Sequence, residues 1–273
     1  MRILCCLNRD LASSVALNLL LPTFAKHTVC VGLTEQVGGA RHLPEEPQER
    51  RELRIAEQSF PNEILFPLIE RACLPDDGTR YLTFTEIERL RQIPVISFPN
   101  PNTPDALETI RHFAPDLILT IRYGAILKPS VITIPRFGVL NLHSGMLPAY
   151  RGVLATFRAL MNGDTEISCT LHKISDGTID TGEIVGVTRV PVVPRYSLLG
   201  HLLSLYPTSV AMIADAIARL DAGESLATTA QSASGGAYYS YPTAAEWAAF
   251  TQHGWRVTQL GELEEVFRRY AVT

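Results

Sequence analysis

The chain has 273 residues, 46% of them hydrophobic and 19% charged, with a formal net charge of -4 and a pI near 6.0. This is globular composition, enough for one large domain or a domain with an appendage. It excludes the basic field that phosphate-dominated nucleic-acid binding needs, and no apolar run approaches the roughly eighteen residues of a membrane-spanning helix.

RILCCL near the N-terminus reads as a short buried strand, NRDLASSVALNLLLPTF as a helix capped by Asn8 or Asp10, and TVCVGLT as a second strand. Strand, helix and strand in this order predict a right-handed parallel unit. The first ten residues lack the apolar segment and cleavage site of a secretion signal. Cys5, Cys6, Cys30, Cys73 and Cys169 make an odd count, mostly inside apolar runs and without metal-ligand spacing, which predicts reduced thiols in a cytoplasmic protein.

From about Glu35 to Gln92 the sequence is polar and irregular, and it reads as a peripheral excursion, helical in EEPQERRELRIAEQ and TFTEIERLRQ. The charged run Glu45 to Arg54 reads as a solvated helix face. IPVISF is the next strand, TPDALETIRHF a helix with Thr103 as cap and Pro104 in its first turn, and PDLILTI and GVLNLH two further buried strands. Continuous Val/Ile/Leu runs of this length suit strands covered on both faces. VLATFRALMNGD then reads as a helix with an Asn-Gly stop, and ISCTLHKI and EIVGVTRVPV as two strands around the loop SDGTIDTG. A long helical stretch interrupted near Pro207 ends at Gly223. The expected organisation is therefore an α/β domain over residues 1–222, built on an open, mostly parallel twisted sheet. A small C-terminal appendage over 223–273 carries two short helices.

Chemistry concentrates at strand ends, where an open parallel sheet forms its binding crevice. Asn141 and His143, two apart on extended chain, point to the same side. An amide donor and an imidazole so placed suit acyl transfer, with Asp180 arriving from the loop after His172 to orient the ring. Taken alone, an Asn-x-His pair is more often a structural hydrogen-bonding pair, and His172 is equally readable as packing or as support for the site.

NLHSGMLPAYRG, followed about thirty residues later by DGTIDTGEIV, resembles the paired signature of the folate-dependent formyltransferases, whose members include glycinamide ribonucleotide transformylase, methionyl-tRNA formyltransferase and the amino-sugar N-formyltransferases. The resemblance covers about Pro94 to Leu220 and implies a Rossmann-like formyltransferase fold. It assigns Asn141, His143 and Asp180 as catalytic. It further implies that backbone groups of Tyr123, Gly124, Ala125, Ile126 and Leu127, with Asp176 and Gly177 of the aspartate loop, hold the co-substrate N10-formyltetrahydrofolate, and that no metal is needed. Ser144 and Gly145 depart from the Pro-Ser of many members, and the spacing from Asp176 to Asp180 matches only some of them.

The function this implies is formyl transfer to a primary amine or hydroxylamine of a small metabolite, an amino-sugar nucleotide or an ornithine-type side chain. In that scheme Asn141 and His143 donate to the oxyanion, and Asp180 keeps His143 protonated. The alternatives are methionyl-tRNA formyltransferase, a formyltetrahydrofolate hydrolase and a non-catalytic folate-binding module. Hydrolases of this kind carry a further N-terminal domain, whereas this sequence opens on its first strand. The tail has no Lys and sets Arg256, Arg268 and Arg269 against five Glu. It is therefore expected to serve acceptor choice or homodimer formation through its aromatic cluster GGAYYSYPT, with neither nucleic acid nor membrane as partner.

Overall fold

The computed structural model describes residues 1–35, 46–232 and 235–271. Glu45 and the last two residues of the tail lie outside the described residues.

Among the described residues nine strands are formed: β1 (Arg2–Asn8), β2 (Thr28–Thr34), β3 (Val95–Ser97), β4 (Leu117–Ile121), β5 (Val139–His143), β6 (Tyr150–Gly152), β7 (Glu166–Ile174), β8 (Ile184–Pro191) and β9 (Ala237–Tyr239). Seven make one sheet in the order β3-β2-β1-β4-β5-β7-β8. The first five of these run parallel, and β7 and β8 extend the sheet antiparallel. β6 and β9 pair parallel in a second, small sheet.

The period of two sorts the central strands onto two cores. Ile3, Cys5 and Leu7 of β1 join Leu117, Leu119 and Ile121 of β4 and Leu140 and Leu142 of β5 on one face. Leu4, Cys6, Ile118 and Val139 join Leu127 and Val131 on the other. Asn141 and His143 follow Val139 on this second face, as Thr120 follows Ile118.

Helices cover both faces: α1 (Leu11–Phe24), α2 (Gln48–Arg54), α3 (Phe66–Ala72), α4 (Phe84–Arg91), α5 (Pro104–Phe113), α6 (Pro129–Ile132), α7 (Ala155–Asn162), α8 (Leu198–Ser204), α9 (Tyr206–Asp221), α10 (Ala244–Gln252) and α11 (Leu260–Arg268). The N-cap of α1 is Asp10, which accepts from the amide of Ser13 at 2.7 Å, and Thr103 caps α5 in the same way. The stretch Leu198–Asp221 is apolar and long enough to span a bilayer by composition. Here it is a core element, with Leu198, Leu202, Tyr206, Ile213 and Ile217 buried.

The segment read as a peripheral excursion is built in. α2 continues through two π turns, Ile55–Ser59 and Pro61–Leu65, into α3, and Leu53, Ala56, Phe66 and Ile69 enter the main core. The tail after Gly223 enters it too. Trp247, Phe250 and Tyr270 are fully buried, Phe157 meets Trp247 at 4.7 Å and Phe250 at 4.8 Å, and the Tyr270 hydroxyl donates to Ser14 of α1 at 2.8 Å. Four cysteines are buried and Cys73 is exposed.

Candidate active site

A cleft of about 1590 Å³ opens at the C-terminal ends of the parallel strands, and Asn141, His143 and Asp180 all line it. The register places Asn141 between Thr120 of β4 and His172 of β7. Its amide orientation follows from those neighbours. The Thr120 hydroxyl donates to Asn141 Oδ1 at 2.7 Å, so the NH2 group faces His172 Nε2 at 2.9 Å and Asp180 Oδ1 at 3.5 Å. His172 Nδ1 lies 2.9 Å from the Lys173 carbonyl, which only accepts. The His172 proton therefore sits on Nδ1, leaving Nε2 to accept from Asn141.

The same logic fixes His143. Its Nε2 stands 2.6 Å from the Tyr150 carbonyl and must carry the proton, which turns Nδ1 toward Asp180 Oδ2 at 3.4 Å. Gly145 makes room for this ring, because a Cβ there would stand 2.8 Å from His143 Nε2 and 2.4 Å from the Ala155 side chain.

Asp180 has φ +55 and is held from two sides: its Oδ2 accepts the Gly152 amide at 2.8 Å, and its Oδ1 faces the Asn141 NH2 group at 3.5 Å. Burial raises the Asp180 carboxyl, but His143, His172 and the Gly152 amide together bring it below its ordinary value. Burial also governs His143, whose imidazole falls below its ordinary value although Asp180 and the Tyr150 carbonyl pull it upward. The resting pair is thus a neutral imidazole beside a carboxylate. This differs from the expectation that Asp180 keeps His143 protonated; in this geometry, desolvation exceeds the attraction.

Toward one side, the cleft is lined by Tyr123, Gly124, Ala125, Ile126, Leu127 and Asp176, while Gly177 stands outside the lining. Part of this loop is anchored: the Tyr123 hydroxyl donates to the Phe98 carbonyl at 2.6 Å, the Gly124 amide to Thr34 at 3.2 Å, and Asn102 to the Ile126 carbonyl at 2.9 Å. The amides of Ala125, Ile126 and Leu127 donate to nothing among the described residues. Asp176 is spent locally on Thr178, whose hydroxyl and amide hold its carboxyl below the ordinary range.

On the other side lies a charged group that sequence reasoning missed. Arg122, at φ +55 directly after β4, reaches Asp10 and Glu57, each at 3.0 Å. Burial pushes Glu57 up to about 7 against the pull of Arg122. The signal was present in the charged residue that ends the apolar run LILTI, yet its partners come from α1 and from the π turn. Thr120 and Gln231 were missed as well, and only the strand register or the folded tail reveals them.

The sheet thus gathers an amide, an imidazole and a carboxylate in one crevice, the kinds of group that acyl transfer uses. Residues 88–200 match the family model described as formyl transferase, so this part of the chain is similar to that family. It is 40% identical over 102 residues to a methionyl-tRNA formyltransferase of Chlamydia pneumoniae, a stretch covering 37% of this chain and 32% of that relative. With the enzyme of the same name from Aromatoleum aromaticum, 36% identity extends over 130 residues, 48% of this chain and 40% of the relative. The matched part thus spans well under half of these relatives' length. Among solved structures, an N-formyltransferase from Helicobacter canadensis in complex with folinic acid and dTDP-3-aminofucose superposes with a TM-score of 0.54 at 17% identity, over 88% of this chain and 71% of that one. Glycinamide ribonucleotide transformylase 1 from Symbiobacterium toebii gives 0.55 at 17%, over 85% and 94%. At this identity the likeness speaks for the fold.

Proposed function

We propose that the protein transfers the formyl group of N10-formyltetrahydrofolate to a primary amine of a small anionic metabolite, with an amino-sugar nucleotide as the preferred acceptor class. The observation that carries the reading is the run of three unengaged amides, Ala125 to Leu127, opening onto the same cleft as Asn141, His143 and Asp180. Such a row suits the hydrogen-bonding edge of a pterin. The co-substrate supplies the one-carbon unit.

The residues then divide the work. Asn141 turns its weakest hydrogen bond, the 3.5 Å contact to Asp180, toward the charge that develops on the formyl oxygen. His143 accepts the proton leaving the acceptor nitrogen at Nδ1, where Asp180 stabilises the resulting imidazolium, and returns it to the departing folate nitrogen. Arg50 supports an anionic acceptor. Its side chain is only 12% exposed, lines the cleft, stacks 4.3 Å over Tyr241 and has Glu46 as an ion-pair partner at 3.8 Å, too long for a hydrogen bond. The α1 N-terminus, the usual alternative for an anion, already holds the Asp10 carboxylate.

An acceptor screen tests this by following tetrahydrofolate release with amino-sugar nucleotides, hydroxylated amino acids and methionyl-tRNA. Turnover with a nucleotide-linked amino sugar supports the proposal. Turnover with the tRNA alone would replace the acceptor class, and formate release without any acceptor would make the protein a hydrolase.

A further inference from the structure

The tail does more than fill the core, because two of its hydrogen-bonding groups close around the aspartate loop. Gln231 Nε2 donates to the Asp180 carbonyl at 3.0 Å and to the Gly182 carbonyl at 2.7 Å. Ile184 and Thr229 exchange amide–carbonyl bonds at 2.8 Å in both directions, which fixes the backbone two residues before Gln231. On the opposite side the loop abuts β7, where a Cβ on Gly182 would stand 1.8 Å from the Lys173 carbonyl. The peptides around Asp180, itself in the left-handed region, are therefore gripped between β7 and a single side-chain amide.

The second grip is on the residues that bind the catalytic groups. β9 pairs with β6 through Tyr150↔Ala237, Arg151↔Tyr238 and Gly152↔Tyr239. Tyr150 supplies the carbonyl that His143 Nε2 meets, and Gly152 supplies the amide that Asp180 Oδ2 accepts. Gly152 is at φ +97, and a Cβ there would stand 2.1 Å from the Tyr239 carbonyl, so β9 lies hard against the strand it supports. Both partners of the His143–Asp180 pair are thus referenced to the C-terminal segment.

We infer that Gln231 is a positioning residue for the reaction: its amide holds the Asp180 loop so that the carboxylate stays at His143 Nδ1. The inference rests on the formyl-transfer reading for its kinetic consequence, but not for its structural one. With the Gln231 donors gone, the Asp180 peptide loses its grip and the carboxylate withdraws from His143. The charged or titratable groups facing His143 are Asp180 and His172, and of these Asp180 raises the imidazole while His172 lowers it. Withdrawal of Asp180 consequently lowers the His143 titration.

The test is an NMR titration of the imidazole carbons in the full chain, with the His143 signal assigned by its loss in His143→Gln. Gln231→Met keeps the side-chain length and removes both donors. Its His143 midpoint is expected to fall by roughly half a pH unit or more, with kcat lowered about tenfold and KM changed less than about twofold. Gln231→Asn, which keeps an amide on a shorter stem, should fall between Met and the parent, and it carries the test if the Met variant does not fold. An unchanged His143 midpoint in a folded variant overturns the proposal, since a merely structural Gln231 would lower the melting temperature and leave that midpoint in place. If the parent protein shows no turnover with any acceptor, the function is wrong while the titration still decides the role of Gln231.

Discussion

Arg80 and Glu86 have side chains 1% exposed and meet at 2.7 Å, whereas His143 and Asp180, at 8% and 9%, stand 3.4 Å apart. All five N–H donors of Arg80 are used: two on Glu86 and the rest on the carbonyls of Leu74, Pro75 and Tyr81. Glu86 also closes a capping box with Thr83 at the start of α4. That pair is closed, with nothing left to offer a ligand. The pair proposed as catalytic is also buried, yet it keeps a long Nδ1–Oδ2 gap, a 3.5 Å amide contact and one face on the cleft. Burial with complete pairing gives structure, and burial with one place left for a proton gives reactivity.

The comparison is broken most severely from the closed side. Arg80→Met leaves the Glu86 carboxylate buried without its cation, and such losses cost about 3–5 kcal/mol. Urea unfolding should show a loss of that size, while turnover per folded molecule stays close to the parent value. A loss below about 1 kcal/mol would mean that water reaches the pair.

From the open side the effect falls on rate. Asn141→Ala, His143→Ala and Asp180→Ala should each lower turnover about a hundredfold or more, because a preorganised donor is worth on the order of 3 kcal/mol in a transition state. Their denaturation midpoints should shift far less than that of Arg80→Met. Near-normal turnover in folded His143→Ala would remove the role assigned to that ring.

This difference also explains what the sequence made legible. Buried strands announce themselves as Val/Ile/Leu runs, and the period of two puts Asn141 beside His143 without any tertiary knowledge. The caps at Asp10 and Thr103 are equally local. The helix from α2 to α3 was harder to see, since Pro47, Pro61 and Pro67 punctuate it and the chain passes through π turns with i to i-5 bonds around Pro61. Gln231 lies in a stretch of small and turn residues with no periodicity at all. Its contact with the Asp180 loop arises only because the tail folds back, with Thr229 bridging to Ile184 some forty-five positions earlier. Chemistry that is local in the chain could be read, while the groups that hold it in place come from elsewhere.

A smaller effect is expected at the folate arm. Ile126 is 55% exposed, so Ile126→Ala removes little packing, whereas Ile126→Pro deletes the middle amide of the unengaged row and restricts Ala125 as well. Calorimetric titration with a stable formyl-folate analogue should give binding roughly tenfold weaker for the Pro variant and near-parent binding for the Ala variant. Equal affinities would move the pterin away from this backbone.

A pH-dependent effect sharpens the comparison with a third buried charge, the Arg122 cluster, which is not fully closed. Glu57 uses Oε1 on Arg122, and burial carries its carboxyl from the ordinary 4.5 up to about 7. The folded state therefore keeps a proton that the unfolded chain releases between about pH 4.5 and 7, so Glu57 makes stability fall as pH rises through that window. His143 acts in the opposite sense: its value is depressed, and its contribution is present at high pH and lost as pH falls. Glu57→Gln cannot titrate, yet it retains an oxygen for the Arg122 hydrogen bond. The stability difference between this variant and the parent should grow in favour of the variant from pH 5 to pH 8, by on the order of 2 kcal/mol, since the value near 7 already includes the pull of Arg122. Urea midpoints at four or five pH values measure it, with His143 and Asp180 common to both proteins and cancelling in the difference. Parallel curves would mean that Glu57 is ionised throughout, and the Arg122 cluster would then belong with Arg80–Glu86 as a closed structural pair.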